Sequence, residues 1–179
     1  VTEVAVKELN ISYAGEVANY DVRPLTANAI KGLLSTNHGT HVNDVNARYL
    51  AERIGMKINE HKTTTAKGFT NLVTVEVKTD KETHSVAGTL LNGLGARIVK
   101  VEGFVVDVKP DGNFLYIKNQ DKPGSIGRVA TKLAESQINI ATMQVGRDEV
   151  GGSAVMMLGI DNEVTPGDLV LVGQLENID

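Results

Sequence analysis

The sequence predicts an α+β protein in two parts, and three observations predict it. Short segments of alternating apolar and polar residues recur from one end of the chain to the other, the mark of half-buried strands. Two stretches between residues 24 and 55 instead carry apolar residues at helical spacing. From Asn113 onward the elements run in the order β-α-β-β-α, so the first part reads as an α+β domain with a mostly antiparallel sheet. The second reads as a ferredoxin-like βαββαβ unit lacking its last strand.

Each element has its own warrant. Val4 and Val6, then Leu9, Ile11 and Tyr13, alternate between Val1 and Tyr13, a strand pattern whose phase slips once, as at a bulge. Pro24 suits the first turn of a helix that places Ala29, Ile30, Leu33 and Leu34 on one face. Asn43 reads as the cap of a second helix through Val45, Tyr49, Leu50 and Ile54, stopped by Gly55. Lys62 to Gly68, rich in Thr and Lys, reads as a loop. Val73, Val75 and Val77 then alternate with Thr74, Glu76 and Lys78. Val86–Leu91, Arg97–Val101 and Phe104–Val108 are further short strands, separated by turns at Asp80-Lys81, Asn92-Gly93 and Glu102-Gly103.

Lys109-Pro110-Asp111-Gly112 marks the boundary, giving domains 1–110 and 111–179. Asn113–Gln120 is a strand, Asp121–Gly124 a turn, and Ser125–Gln137 a helix with Ile126, Val129, Ala130, Leu133 and Ala134 on its inner face. Asn139–Arg147 and Ser153–Ile160 are strands joined by a turn at Glu149–Gly152, and a weaker helix runs from Pro166 towards Gly173.

Composition narrows the function. The 179 residues are 41% hydrophobic and 22% charged, with formal net charge −4 and no basic cluster, so a nucleic-acid partner is not expected. Without Cys there are no disulfides, thiol nucleophiles, zinc–thiolate sites or iron–sulfur clusters. No apolar run nears the roughly 18 residues of a membrane span, and no signal-peptide pattern opens the chain, so a cytoplasmic setting is expected. The first residue is Val1 rather than Met, and the expectation is of a piece of a longer protein. Asn10-Ile11-Ser12 matches a glycosylation acceptor only formally.

Catalytic and metal motifs are weak. Gly93 and Gly95 start a G-x-G-x-x-G pattern, but Ile98 stands at its third glycine and no helix follows, so a turn is expected. His38 and His41 lie three apart around Gly39 with no third ligand near, so no metal site is expected. No nucleophile elbow or acid–base carboxylate pair stands out, and no catalytic residue is assigned.

Asn119-Gln120-Asp121-Lys122-Pro123-Gly124-Ser125-Ile126-Gly127 carries more chemistry. It joins a strand to a helix, so its backbone N–H groups and the helix dipole favour a carboxylate there. Asp121 has the charge to accept from an ammonium group and Asn119 both donates and accepts. The residues alone leave two readings open: a turn that binds an α-amino acid, or a turn in which Asp121 only caps the helix.

Asp121-Lys-Pro-Gly-Ser-Ile-Gly, with Ile138-Asn139-Ile140-Ala141 after the helix, resembles an ACT domain, the amino-acid-sensing module of many biosynthetic enzymes. Met143-Gln144-Val145-Gly146-Arg147 with Gly151-Gly152-Ser153-Ala154 is similar to the C-terminal end of long-form bacterial D-3-phosphoglycerate dehydrogenases. Leu9-Asn-Ile-Ser-Tyr-Ala-Gly-Glu16, Arg23-Pro24-Leu25-Thr26, Val42-Asn43-Asp44-Val45-Asn46-Ala47 and Val86-Ala87-Gly88-Thr89-Leu90 resemble the intervening domain of those enzymes, also called the allosteric substrate-binding domain. The nucleotide-binding and substrate domains are absent from the sequence.

The resemblance implies a regulatory region of an enzyme of serine biosynthesis. L-serine, the end product, would bind as feedback inhibitor between paired ACT domains, on Asn119 and Asp121 of one chain and Asn139 of the other. The implied partners are a second copy of the chain, through the ACT domain, and the catalytic domains of the parent oxidoreductase. The chain itself would bind no cofactor and carry out no hydride transfer between NAD and 3-phosphoglycerate; NAD would belong to the parent. The resemblance also implies an anion site on the first domain involving Arg97 and Lys109. Rival readings are a subunit of an iron–sulfur L-serine dehydratase and a free-standing ACT-type amino-acid sensor. In the expected 4-1-3-2 sheet order the Asn139–Arg147 edge is free to pair across a two-fold axis. The exposed Asn113–Gln120 edge would be covered by the linker, a neighbouring molecule or further residues.

Overall fold

The computed structural model describes residues 6–38 and 41–179, the side chains of residues 36–38 excepted. It divides into two compact units, one up to Ala96 and one from Arg97 to Asp179.

The first unit contains β1 (Glu8–Gly15), a 3-10 turn (Glu16–Asn19), α1 (Arg23–His38), α2 (Ala47–Arg53), β2 (Lys57–Thr63), β3 (Asn71–Lys78) and β4 (Thr83–Leu91). Its strands lie in the order β2-β1-β3-β4. β1 is parallel to β2 and antiparallel to β3, and β3 is antiparallel to β4. Leu9, Ile11 and Tyr13 point from β1 into a core shared with Ile30 and Leu34 of α1 and with Ala47 and Ala51 of α2. The intervening Glu8, Asn10 and Ser12 are half-buried on the other face.

Several local details follow from residue chemistry. Asp21 accepts the Arg23 N–H at 3.1 Å, satisfying one of the donors that a helix start leaves open. Asn43 Oδ1 accepts the N–H groups of Val45 and Asn46 at 3.0 Å each, forming the turn that leads into α2. The helix proper therefore starts later than the position of Asn43 suggests. Gly55 follows its end with φ 79°, the left-handed conformation that stops a helix at little cost. The strand at the N-terminus begins at Glu8, so Val6 lies ahead of it, and the Val1–Ala5 part of the expected phase slip lies outside the described residues.

β2 is the element that the sequence conceals. Lys57-Ile-Asn-Glu-His-Lys-Thr63 is mostly polar because it is an edge strand, and the loop expected over Lys62 to Gly68 lies instead at residues 64–70.

The second unit takes in β5 (Gly95–Val101) from Arg97, then β6 (Phe104–Val108), β7 (Asn113–Gln120), α3 (Ser125–Glu135), β8 (Ile140–Arg147), β9 (Ser153–Ile160) and α4 (Pro166–Gly173). β7, β9 and β8 form a sheet in that order, both outer strands antiparallel to β9 and therefore parallel to each other. Both faces are covered. Leu115, Ile117, Met156, Leu158 and Ile160 meet Val129 and Leu133 of α3 and Val172 of α4. Phe114, Tyr116, Val155 and Met157 meet Val101, Val106 and Val108 of the β5–β6 hairpin. Glu102 (φ 52°) and Gly103 (φ 84°) form the two-residue turn of that hairpin. Gly146 lets the hairpin lie close against β8: a Cβ there would stand 2.9 Å from the Val105 carbonyl oxygen.

The place of the missing fourth strand is taken by the end of the chain. Ile178 forms one antiparallel bridge with Asn119. Gln120 N–H donates to Asn177 O at 2.9 Å and Asp179 N–H to Lys118 O at 3.0 Å. The 4-1-3-2 order is thus completed by a single rung, and residues 177–179 cover the last part of the β7 edge. β8 ends the sheet on the other side.

Candidate functional site

The β7–α3 turn is built at the point where sheet and helix meet. α3 begins after Gly124 (φ 88°), and no side chain caps this end. Asp121 therefore does not cap the helix. Its backbone N–H donates to Gly152 O at 2.9 Å, fastening the turn to the start of β9. Its carboxylate Oδ2 accepts from Arg147 Nη1 at 2.8 Å and from the Gly151 N–H at 3.2 Å. The Arg147 hydrogen bond first, and the Gly151 N–H second, hold the Asp121 carboxyl below the usual carboxylate range.

Asn119 lies beneath this turn, 3% exposed. Its Nδ2 donates to Gln120 O at 2.8 Å, and the same carbonyl accepts from the buried Ser125 Oγ at 3.2 Å. Asn119 Oδ1 is buried and has no hydrogen-bond partner. Such an acceptor costs about 1–3 kcal/mol while unpaired. Arg128 folds back towards the turn, so that a Cβ on Gly124 would lie 2.8 Å from its Nη1. The turn thus combines an acidic side chain, two guanidinium groups, an uncapped helix N-terminus and an unused carbonyl acceptor.

Asn139 lies elsewhere. It precedes β8, is exposed, and donates from Nδ2 to Asp161 Oδ2 at 2.6 Å. Because β7 and β8 are parallel, the start of β8 is at the opposite end of the sheet from Asp121. An eight-residue strand separates the two ends by about 26 Å. Of the three residues expected to hold serine, the structure brings Asn119 and Asp121 together and leaves Asn139 apart within one chain.

Arg97 and Lys109 line one cleft of about 470 Å³, together with Asp107, Asp111 and Asp161. Arg97 Nε is buried and 3.3 Å from Asp107 Oδ1 without forming a hydrogen bond. Lys109 Nζ donates to Asp111 Oδ2 at 3.0 Å. Both belong to the second compact unit.

Arg147 is the residue that sequence reasoning left unassigned. The available signal was the parallel run of the two outer strands, which puts the last residue of the second beside the turn after the first. Among the described residues no group of three His, Cys, Asp or Glu side chains is placed to hold a metal ion. His41 is exposed, and the His38 side chain lies outside the described residues. Gly93 and Gly95 sit with φ 78° and 79° around the β4–β5 turn, as a plain turn requires. No described helix is long and apolar enough to cross a membrane.

Comparison with known proteins adds an independent line. Residues 1–102 match the D-3-phosphoglycerate dehydrogenase intervening domain and residues 114–178 match the ACT domain. The chain is 38% identical over 159 residues to a D-3-phosphoglycerate dehydrogenase of Bacillus subtilis, covering 89% of the chain and 30% of that relative. It is 34% identical over 178 residues to that of Methanocaldococcus jannaschii, covering 99% and 34%. For the Synechocystis enzyme the figures are 33% over 174 residues, covering 97% and 31%. The chain spans about a third of the length of these curated relatives.

Proposed function

The chain belongs to the D-3-phosphoglycerate dehydrogenase intervening domain family, with an ACT domain following, and from that premise we propose that it is the serine-sensing regulatory region of such an enzyme. L-serine binds at the β7–α3 turn and acts as a feedback inhibitor. Catalytic domains elsewhere in the parent protein perform an NAD-dependent oxidation of D-3-phosphoglycerate.

The observation that carries the proposal is the buried, unpartnered Asn119 Oδ1 beside the Asp121 carboxylate and an uncapped helix N-terminus. An α-amino acid brings ammonium and hydroxyl donors for the two side-chain oxygens and a carboxylate for the positive groups of the turn. Asn139 enters from a second copy. If the exposed β8 edges pair antiparallel about a two-fold axis through mid-strand, Ile140 of one copy faces Arg147 of the other. The partner copy's Asn139 then arrives at the Asp121 end, closing a gap that no single chain spans. Isologous pairing of this kind also buries an edge that otherwise invites association.

Calorimetry tests this directly. L-serine should bind, with D-serine and glycine weaker, and ultracentrifugation should show a dimer in the presence of serine. Unchanged serine affinity in both Asp121→Ala and Asn139→Ala would remove the site, and a strict monomer at high concentration would remove the shared interface.

A second ligand site is favoured by one observation of its own, the buried Arg97 Nε without a hydrogen bond. We propose that the Arg97–Lys109 cleft takes a phosphate-bearing or acidic ligand, displacing Asp107 and Asp111. A crystal structure from phosphate or sulfate buffer with no anion near either residue would count against it.

A further inference from the structure

We infer that Arg147 is the residue that binds the carboxylate of the effector, and that its ion pair with Asp121 is exchanged when an α-amino acid enters. This deepens the proposed serine site and rests on it.

The sheet register supplies the geometry. Asn119 and Arg147 are both paired with Ala154, one from each side. Paired residues point to the same face, so Asn119, Ala154 and Arg147 form one row across the sheet, with the smallest side chain in the middle. At the usual strand spacing the outer Cα atoms stand about 10 Å apart, room for a small amino acid and little more. Ala154 between them is 2% exposed. The Asp121–Arg147 pair joins the turn after β7 to the end of β8, across the width of β9.

Charge gives the second part of the argument. Asp121 Oδ2 accepts from both Arg147 Nη1 and the Gly151 N–H, so an incoming ammonium group meets a carboxylate already in use. A bare amine that takes Asp121 from Arg147 leaves a guanidinium unpaired, and a bare carboxylate that takes Arg147 leaves Asp121 unpaired. A zwitterion replaces one ion pair by two and strands neither charge. The arginine side chain is half exposed, so it has the freedom to swing, and its planar fork of donors suits a carboxylate better than a point charge does. The latch is therefore a filter for molecules carrying both charged groups on one carbon.

The experiment is calorimetry of the full chain with L-serine, L-serinamide and L-glycerate, in the wild type and in Arg147→Ala, Arg147→Lys and Arg128→Ala. The wild type should prefer serine to either singly charged analogue by roughly ten- to a hundredfold, the worth of a charge-assisted contact. Arg147→Ala should lose most of the discrimination between serine and serinamide, and Arg147→Lys should keep part of it. Carboxyl NMR should show Asp121 titrating nearer its ordinary range in Arg147→Ala without ligand, a readout that also certifies the fold. Full discrimination retained in Arg147→Ala overturns the inference while leaving the serine site standing. Discrimination lost in Arg128→Ala instead assigns the carboxylate to Arg128 and overturns it equally. A wild type that binds no serine takes down the proposed site itself, and the latch with it.

Discussion

β1 and β9 are both inner strands of their sheets, yet their burial differs. Along β1 exposure alternates, with Leu9, Ile11 and Tyr13 inside and Glu8, Asn10 and Ser12 half open. Along β9 every residue after Ser153 is buried, because α3 and α4 cover one face and the β5–β6 hairpin the other. A sheet covered on one face keeps a polar surface along its length. A sheet covered on both faces has only its edges and strand ends to offer a ligand. Asn119, Asp121, Asn139 and Arg147 all stand at strand ends of that second kind of sheet.

The sharpest test of this contrast is parity. Met156 faces the helices and Met157 the hairpin, so Met156→Ala and Met157→Ala should each destabilise by about 2–5 kcal/mol. In β1, Ile11→Ala should cost the same, while its neighbour Ser12→Ala should stay within about 0.5 kcal/mol. Urea unfolding followed by NMR of each unit reads all four, and a silent Met157→Ala would break the two-sided account of β9.

Next in size is the effect at the strand ends. Asp121→Ala should weaken serine binding by about 1.5–3 kcal/mol, since it removes the charge partner of the ammonium group, with little change in the urea midpoint. A large fall in stability with intact serine affinity would instead make Asp121 structural.

A smaller effect is expected inside the first unit. Tyr13 OH shares a 2.8 Å hydrogen bond with Thr26 Oγ1, which donates to Glu60 Oε1 at 2.8 Å. Burial pushes the Tyr13 hydroxyl above its usual range, with the Glu60 charge adding to the rise. Tyr13→Phe leaves Thr26 its Glu60 partner and should cost about 0.5–1.5 kcal/mol, whereas Thr26→Val leaves the Tyr13 hydroxyl buried and unpaired and should cost about 1–3 kcal/mol. The reverse order, read in the same urea experiment, would show that the hydroxyl chain is not what holds this core together.

The smallest effect is that of pH. Arg147 holds the Asp121 carboxyl below its usual range, so the pair's contribution is fully present above the ordinary carboxylate value of about 3.9. It fades only as pH falls through the lowered value. The Arg147 side-chain NMR signals should therefore be flat from neutrality to about pH 4 and move below it; a midpoint above pH 5 would contradict the ion pair.

Much of the second unit was legible because its signals are local. β7, β9 and α4 have the ranges that alternation, turn residues and Pro166 indicate, whereas of the expected inner face of α3 only Val129 and Leu133 are buried, and Ile126 and Ala134 are exposed. β2 was not legible, since a parallel edge strand with mostly solvated side chains carries no alternation. Nor was the partner of Asp121: Arg147 is distant in sequence, and only the parallel alignment of β7 and β8 brings them together. Whether Asp121 capped α3 or did something else was open on the residues alone, and the glycine before Ser125 decides it.

The parallel pairing of β1 with β2 bears on how the molecule folds. Glu8 meets Lys57 across about fifty residues of chain, with α1 and α2 inside the crossover. Closing a loop of that length costs entropy before any contact repays it. β8 and β9, by contrast, meet across the short Asp148–Gly152 turn. In a refolding experiment the β8–β9 hairpin should gain amide protection early and β2 late, so the two halves of this small protein keep different clocks.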